Sequence, residues 1–187
     1  MGKAWGHFKT ITKHRHLVMR YCFQVGLYGR GLLHDLSKYS WAEFHVGVQY
    51  YQGGKCSPNA IERRDVGYSV AWMHHKGRNK HHFEYWTDLN LDTRQYGPVP
   101  MPTKYLVEMC MDRIAACKVY QGERYHDGSA LEYLEQRSHD SCLMHPDTYA
   151  KIHYLLTMLR DKGEKETFRF IREVVLQEKP FGMEQDR

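Results

Sequence analysis

Paired cysteines are absent from this chain. Its five cysteines (Cys22, Cys56, Cys110, Cys117 and Cys142) are odd in number, and no two have C-x-x-C spacing. Neither a disulfide framework nor a cysteine zinc site is therefore expected, and the thiols read as reduced and mostly buried. No apolar run approaches the roughly 18 residues of a membrane span. Met1 to Lys13 lacks the apolar core and the small-residue cleavage site of a signal peptide. These absences predict a cytoplasmic protein with no membrane partner. Repeats and low-complexity segments are also missing. A composition of 42% hydrophobic and 26% charged residues excludes collagen, disorder and a coiled-coil rod.

What is present is one chain of 187 residues, a length that favours a single domain with a sizeable core. The formal charge is +5 and unevenly placed: residues 1–64 carry ten Lys/Arg against three Asp/Glu, while the remainder is close to balanced. A positive field of this kind concentrates anions, from phosphorylated small molecules to nucleic acid.

Helical periodicity dominates. Phe8, Ile11, Leu17, Val18, Tyr21, Cys22 and Val25 predict a helix from about Phe8 to Leu27, stopped at Gly26 or Gly29. A second helix is predicted to start near Leu32 or after Ser40 and to end before Gly53-Gly54. A third opens at Ser57-Pro58 and reaches His74 or His75. From Lys76 to Pro102, Gly77, Gly97-Pro98, Pro100 and Pro102 predict loop with one or two helical turns. A strong helix follows Pro102-Thr103 and runs to Gly122. Further helices are predicted over about Ala130–Gln136 and Asp147–Leu159, with a last one over Glu166–Leu176 closed by Pro180 and a tail over 177–187. No two convincing strands are visible, so the expected class is all-α, with six to eight helices.

Thirteen residues are histidine, more than packing or surface polarity needs. His14 lies three residues after Ile11 and four before Val18, on the face predicted to be buried. An unpartnered polar group there costs a few kcal/mol, so the position calls for a partner or a ligand. His16 is predicted to face elsewhere. In Leu33-His34-Asp35-Leu36-Ser37-Lys38, the adjacent His34 and Asp35 can offer a metal one nitrogen and one oxygen. Residues 74–82 hold four histidines in nine positions, and imidazole is the commonest protein ligand for transition metals. Asp112 interrupts an apolar helical stretch and is costly there unless paired or bound to a metal. His7, His45, His126, His139, His145 and His153 are assigned to surface or ordinary core.

The order His14, His34-Asp35, His75 or His82, Asp112 resembles the HD-domain superfamily of metal-dependent phosphohydrolases. HDLSK is similar to that family's HD-hydrophobic-small-Lys segment, and His14 followed by Val18 matches its first-histidine helix. Over most of residues 1–175 the chain also resembles a bacterial and phage family related to HD proteins. HDLSKYS with Glu43-Phe44, and AWMHHKGRNKHHFEYW from Ala71 to Trp86, carry that likeness. The resemblance implies a helical bundle around a divalent transition metal, with His14, His34, Asp35 and Asp112 as the one-metal set. His75 and one of His81 or His82 would complete a two-metal variant bridged by Asp35, and helical phase favours His82. Mn, Fe, Zn, Co and Ni are not distinguished.

Asp35, Lys38 and Arg78 are the expected catalytic residues. Lys38 and Arg78, with Arg113 as a further candidate, would stabilise phosphate charge. The leading expectation is a phosphohydrolase acting on a small phosphorylated anion or nucleotide. The alternatives are a mixed-valent di-iron oxygenase on the same scaffold and a non-catalytic, metal-containing module that binds nucleic acid. The last is not favoured, because structural zinc sites prefer closed sets with cysteine.

Overall fold

A computed structural model describes residues 2–136 and 143–179. The chain is all-α, with one small hairpin. Helix α1 (Lys3–Val25) buries His7, Ile11, His14, Val18, Cys22 and Val25, a stripe repeating every three or four residues. It starts five residues earlier than its apolar pattern suggested and ends at Gly26, which adopts the left-handed conformation. A short α2 (Tyr28–Leu33) folds back along α1. A 3₁₀ turn (Leu36–Tyr39) then leads into α3 (Trp41–Gln49).

The long helix expected from Ser57 to His75 is two helices, α4 (Pro58–Val66) and α5 (Val70–Lys76). Gly67, at φ 86°, ends the first. Ser69 caps the second by accepting from Trp72 N at 3.0 Å, and its hydroxyl donates to the buried Glu62 Oε2 at 2.5 Å. Glu62 Oε1 also accepts from Val70 N, so a buried carboxylate anchors the start of α5. Ser57, the expected N-cap of α4, makes no capping bond through its side chain.

No strand was predicted between Lys76 and Pro102, yet Thr87–Asn90 (β1) pairs antiparallel with Gln95–Pro98 (β2), Thr87 opposite Pro98. Every β1 residue is exposed, so no buried alternation marks the strand. The Asn90 side chain, accepting from Asp92 N and Thr93 N, shapes the turn instead.

Helix α6 (Thr103–Gln121) runs through the middle of the molecule and packs on α1, α7 (Ser129–Gln136) and α8 (Pro146–Glu173). Leu106, Met109, Cys110, Ile114 and Ala115 of α6 meet Ile152, Leu155, Leu156, Leu159 and Ile171 of α8 in one core cluster. The two helices expected at the C-terminus are the halves of α8. Gly163 lies between them at φ 75°, ψ 173°, non-helical values that glycine adopts freely. A 3₁₀ turn over Val175–Gln177 follows. Pro180 and most of the expected tail lie outside the described residues.

Candidate metal centre

Four segments bring the site together. His14 enters from the buried face of α1. The chain leaves α2 at His34, and Asp35 takes up left-handed backbone (φ 55°, ψ 23°), a conformation that Asp tolerates better than most residues. This turn lets neighbouring residues 34 and 35 both face inward, each about 1% exposed. His75 comes from α5, and His81 and His82 follow it. Glu108 and Asp112 lie one turn apart on α6.

Asp35 stands between two groups of ligand atoms. Its Oδ2 lies 3.3 Å from His34 Nε2 and 3.7 Å from His14 Nε2, while Asp112 Oδ1 lies 2.9 Å from His14 Nε2 and 3.6 Å from His34 Nε2. Its Oδ1 lies 3.3 Å from His75 Nε2 and 3.4 Å from His81 Nε2. The resulting clusters are His14, His34, Asp35 and Asp112, and Asp35, His75, His81 and His82. Within each cluster the ligand atoms all lie within 4.8 Å of one another. Nitrogen and oxygen ligands held about 2.0–2.2 Å from an ion are roughly 2.9–3.6 Å apart at octahedral or tetrahedral angles. The observed spacings bracket that range.

The same atoms lack ordinary partners. Nε2 of His14, His34, His75, His81 and His82 and both Asp35 oxygens are buried without a directional hydrogen bond. Lys38 Nζ approaches Asp35 Oδ2 as an ion pair at 2.5 Å. A set of buried, inward-facing lone pairs is costly unless something accepts them, and a cation does. The residues fit a metal on this ground as well as on spacing.

Further carboxylates face the far side of the rings. Glu43 lies 2.8 Å from His75 Nδ1 and 2.6 Å from His74 Nδ1. Glu108 Oε1 lies 3.0 Å from His34 Nδ1 and 3.3 Å from His81 Nδ1, and its Oε2 accepts from Arg30 Nε at 2.7 Å. Carboxylates facing Nδ1 favour the tautomer that turns the Nε2 lone pair inward.

Electrostatics separates the imidazoles. Burial and the charge of Lys38 lower the pKa of His14, and burial with the neighbouring His81 and His75 holds His82 well below the ordinary histidine range. Burial opposes charge on His34 too. There it is outweighed by the Asp35 carboxylate, the close approach of Asp112 and the hydrogen bond with Glu108, so the pKa rises well above ordinary. Asp112 is largely removed from solvent, which favours its neutral form, but His14 and His34 hold it well below the carboxylate range. Glu108 falls to about 2 because its bonds to His34, His81 and Arg30 outweigh burial.

A cavity of about 530 Å³ opens onto the clusters. His14, Lys38, His75, His82 and Asp112 line it, as do residues 54–60, His7 and Tyr51. Lys55, Arg63 and Arg113 add positive charge to the lining.

Most of the expected site residues meet here: His14, His34, Asp35, Lys38, His75, His82 and Asp112. Both His81 and His82 belong to the second cluster, so the choice between them falls away. The phase argument for His82 assumed a helix that continues from His75, but α5 stops at Lys76. The chain then turns around Asn79, which donates to His75 O at 2.8 Å. Arg78 does not reach the site: it is exposed, outside the cavity lining, and donates to His74 O at 3.3 Å. The turn after Gly77 directs it outward.

Sequence reasoning missed Glu43 and Glu108 as partners of the rings. It also left His7 as background, although His7 is seven residues, or about 10.5 Å of helix, from His14 on the same face. His7 is 6% exposed and packs against Phe44 and Tyr51, and burial followed by the charge of Lys38 lowers its pKa to about 4. Gly47 makes the room: a Cβ there would lie 2.2 Å from His7 Nε2. Gly47→Ala is therefore expected to destabilise the chain by about 1–3 kcal/mol in denaturant unfolding. A change under about 0.5 kcal/mol, the size of an ordinary surface substitution, would count against this packing.

Fold and site together define an all-α protein with buried histidine and carboxylate clusters able to hold a metal ion. The chain belongs to a family of unknown function (DUF5662), whose model matches residues 3–158, a span that includes every residue of the two clusters. No curated protein and no solved structure shows significant similarity to the chain. No helix among the described residues is long and apolar enough to cross a membrane.

Proposed function

We propose that the protein is a two-metal phosphohydrolase of the HD type that acts on a small phosphorylated substrate. The observation that carries this reading is the division of Asp35: one oxygen faces His14 and His34, the other His75 and His81. A carboxylate placed in this way would offer one oxygen to each of two ions. The donors are nitrogen and oxygen only, a set that suits Mn, Fe, Co, Ni or Zn. Buried Asp35, Glu43 and Glu108, with Asp112, outnumber the cations Lys38 and Arg30 that pair with them, so added positive charge is accommodated.

His14, His34 and Asp112 would hold one ion, His75, His81 and His82 the other, and Asp35 both. Bound there, the ions supply Lewis acidity and a nucleophilic water near neutral pH. The chain does the rest. His14 and His82, kept neutral by burial, retain their lone pairs at pH 7. Lys38 sits between Asp35 and the cavity, where its ammonium can meet a phosphoryl oxygen. Trp72, its ring centre 4.6 Å from that of His82, forms part of the cavity wall beside the second cluster.

The test is elemental analysis of anaerobically purified protein, followed by a phosphate-release screen of phosphomonoesters and nucleotides with Mn and with Fe. Two ions per chain with phosphate release are expected. Two irons with oxygen uptake and no phosphate release would replace the hydrolase with the oxygenase. Lys38→Ala is expected to lower kcat/KM by about 10²-fold, the usual effect of removing a positioned charge from a reacting oxygen. Arg78→Ala is expected to change it less than about twofold, as for a surface side chain. The reverse pattern would remove Lys38 from the phosphate site.

A further inference from the structure

Glu108 is fully buried on α6 and lies outside the cavity lining, so no substrate touches it. Its two oxygens are unequally engaged. Oε2 is committed to Arg30 Nε at 2.7 Å. Oε1 alone faces both imidazoles, His34 Nδ1 at 3.0 Å and His81 Nδ1 at 3.3 Å, and the two rings lie 4.4 Å apart. His34 belongs to the first cluster and His81 to the second.

His34, His81 and Glu108 could themselves be read as a third group of metal ligands. Arg30 argues against that, because its guanidinium already supplies the positive charge that Glu108 needs. A carboxylate only accepts hydrogen bonds, so His34, bonded to Oε1 at 3.0 Å, carries a proton on Nδ1. His81, whose Nδ1 lies 3.3 Å from the same oxygen without a directional bond, is drawn to the same tautomer by that charge. In the neutral ring each Nε2 then carries the lone pair, and each points towards Asp35, His34 at Oδ2 and His81 at Oδ1.

We propose that Glu108 is a positioning residue for both metal sites at once: through one oxygen it fixes the tautomer of His34 and His81, while Arg30 determines which oxygen that is. This rests on the two-metal reading above. Its consequence is a shared fate, in which damage at position 108 weakens both sites although it removes no ligand from either.

Glu108→Gln exposes the logic. A glutamine side chain has one acceptor and one donor end. Arg30, a cation that only donates, claims the amide oxygen, and the amide N–H groups then face His34 and His81. Both rings must accept at Nδ1, which moves their protons to Nε2 and blocks the ligand atoms. Arg30→Met in the same chain frees the amide to turn round and restores the acceptor.

The experiment is calorimetric titration of the chelator-treated, full-length chain with zinc chloride. Wild type is expected to take up two ions. Glu108→Gln should lose about 10–100-fold in affinity at both sites, the usual effect of removing a hydrogen-bond partner of a ligand histidine. The double variant Glu108→Gln/Arg30→Met should recover most of that loss, whereas Arg30→Met alone should stay within about threefold of wild type, since Oε1 keeps its role. Recovery distinguishes a tautomer effect from damage to the fold, because a second lost contact does not repair packing.

A measurement on the wild type keeps the proposal testable if Glu108→Gln does not fold. In the zinc-loaded chain, the Nδ1 protons of His34 and His81 should both give NMR resonances protected from exchange with water. Loss of affinity at one site only, no recovery in the double variant, or free exchange of either proton would overturn the proposal. Wild type that binds two zinc ions while Glu108→Gln binds them equally well removes this inference alone. Wild type that binds none removes the two-metal reading together with it.

Discussion

Asp35→Asn is expected to remove both ions together and to lower phosphate release by about 10³-fold or more. The magnitude follows from what is lost. A bridging carboxylate contributes a full negative charge to two cations, and losing about 4 kcal/mol of that stabilisation corresponds to about three powers of ten in rate. The geometry makes the effect double, because Oδ1 and Oδ2 serve separate imidazole pairs. His82→Ala provides the comparison. His82 belongs to the second cluster only, so its removal should leave one ion bound through His14, His34, Asp35 and Asp112. Metal content by mass spectrometry, set beside phosphate release, separates the two variants. If Asp35→Asn retained one ion, Asp35 would be a ligand of a single site.

Chelation is expected to lower the melting temperature by at least about 8 °C. An ion that binds only the folded chain at roughly a thousand times its Kd adds about 4 kcal/mol. For a domain of this size each kcal/mol corresponds to about 2–4 °C. The ligands explain why the unfolded chain binds weakly: they come from α1, the turn after α2, α5 with the segment after it, and α6, and they meet only in the fold. The chelated chain should still unfold cooperatively, because Ile152, Leu155, Leu156, Leu159 and Ile171 pack on α6 from α8, which contributes no ligand. A shift below about 2 °C between chelated protein and protein with added Mn or Zn would contradict a metal built into the folded interior.

Much of this was legible in the sequence. The three-and-four spacing that buries Ile11, His14 and Val18 predicts both the first helix and an inward histidine. Asp112 was found by asking what a carboxylate does within an apolar helix. Glu108, four residues earlier on the same helix, meets that criterion equally and was overlooked. Glu43 was not discernible as a partner of the rings, since a lone charge in an amphipathic helix reads as solvated. Sequence could not choose between His81 and His82, for a geometric reason. Helical phase has no meaning beyond Lys76, where the chain turns on Asn79 and presents both rings to Asp35. Arg78 was chosen for its charge and fork geometry, which carry no orientation, and it lies exposed. The hairpin escaped because its exposed strands carry no burial pattern.

The left-handed backbone at Asp35 narrows what this position can become. Conformation favours few residues there: glycine, asparagine and aspartate take φ near +55° most readily, and β-branched side chains least. Chemistry applies a second filter, since only aspartate among those three carries a charge that two cations can share. Glutamate, the usual conservative exchange, keeps the charge but carries its oxygens one methylene further out, away from the spacing to the imidazoles that Asp35 holds. Changes in the cavity wall around residues 54–60 therefore cost less than changes at position 35. On the two-metal reading, a chain with asparagine or glycine at 35 would keep the turn and lose the shared carboxylate, so this single residue would mark which members of the family can hold both ions.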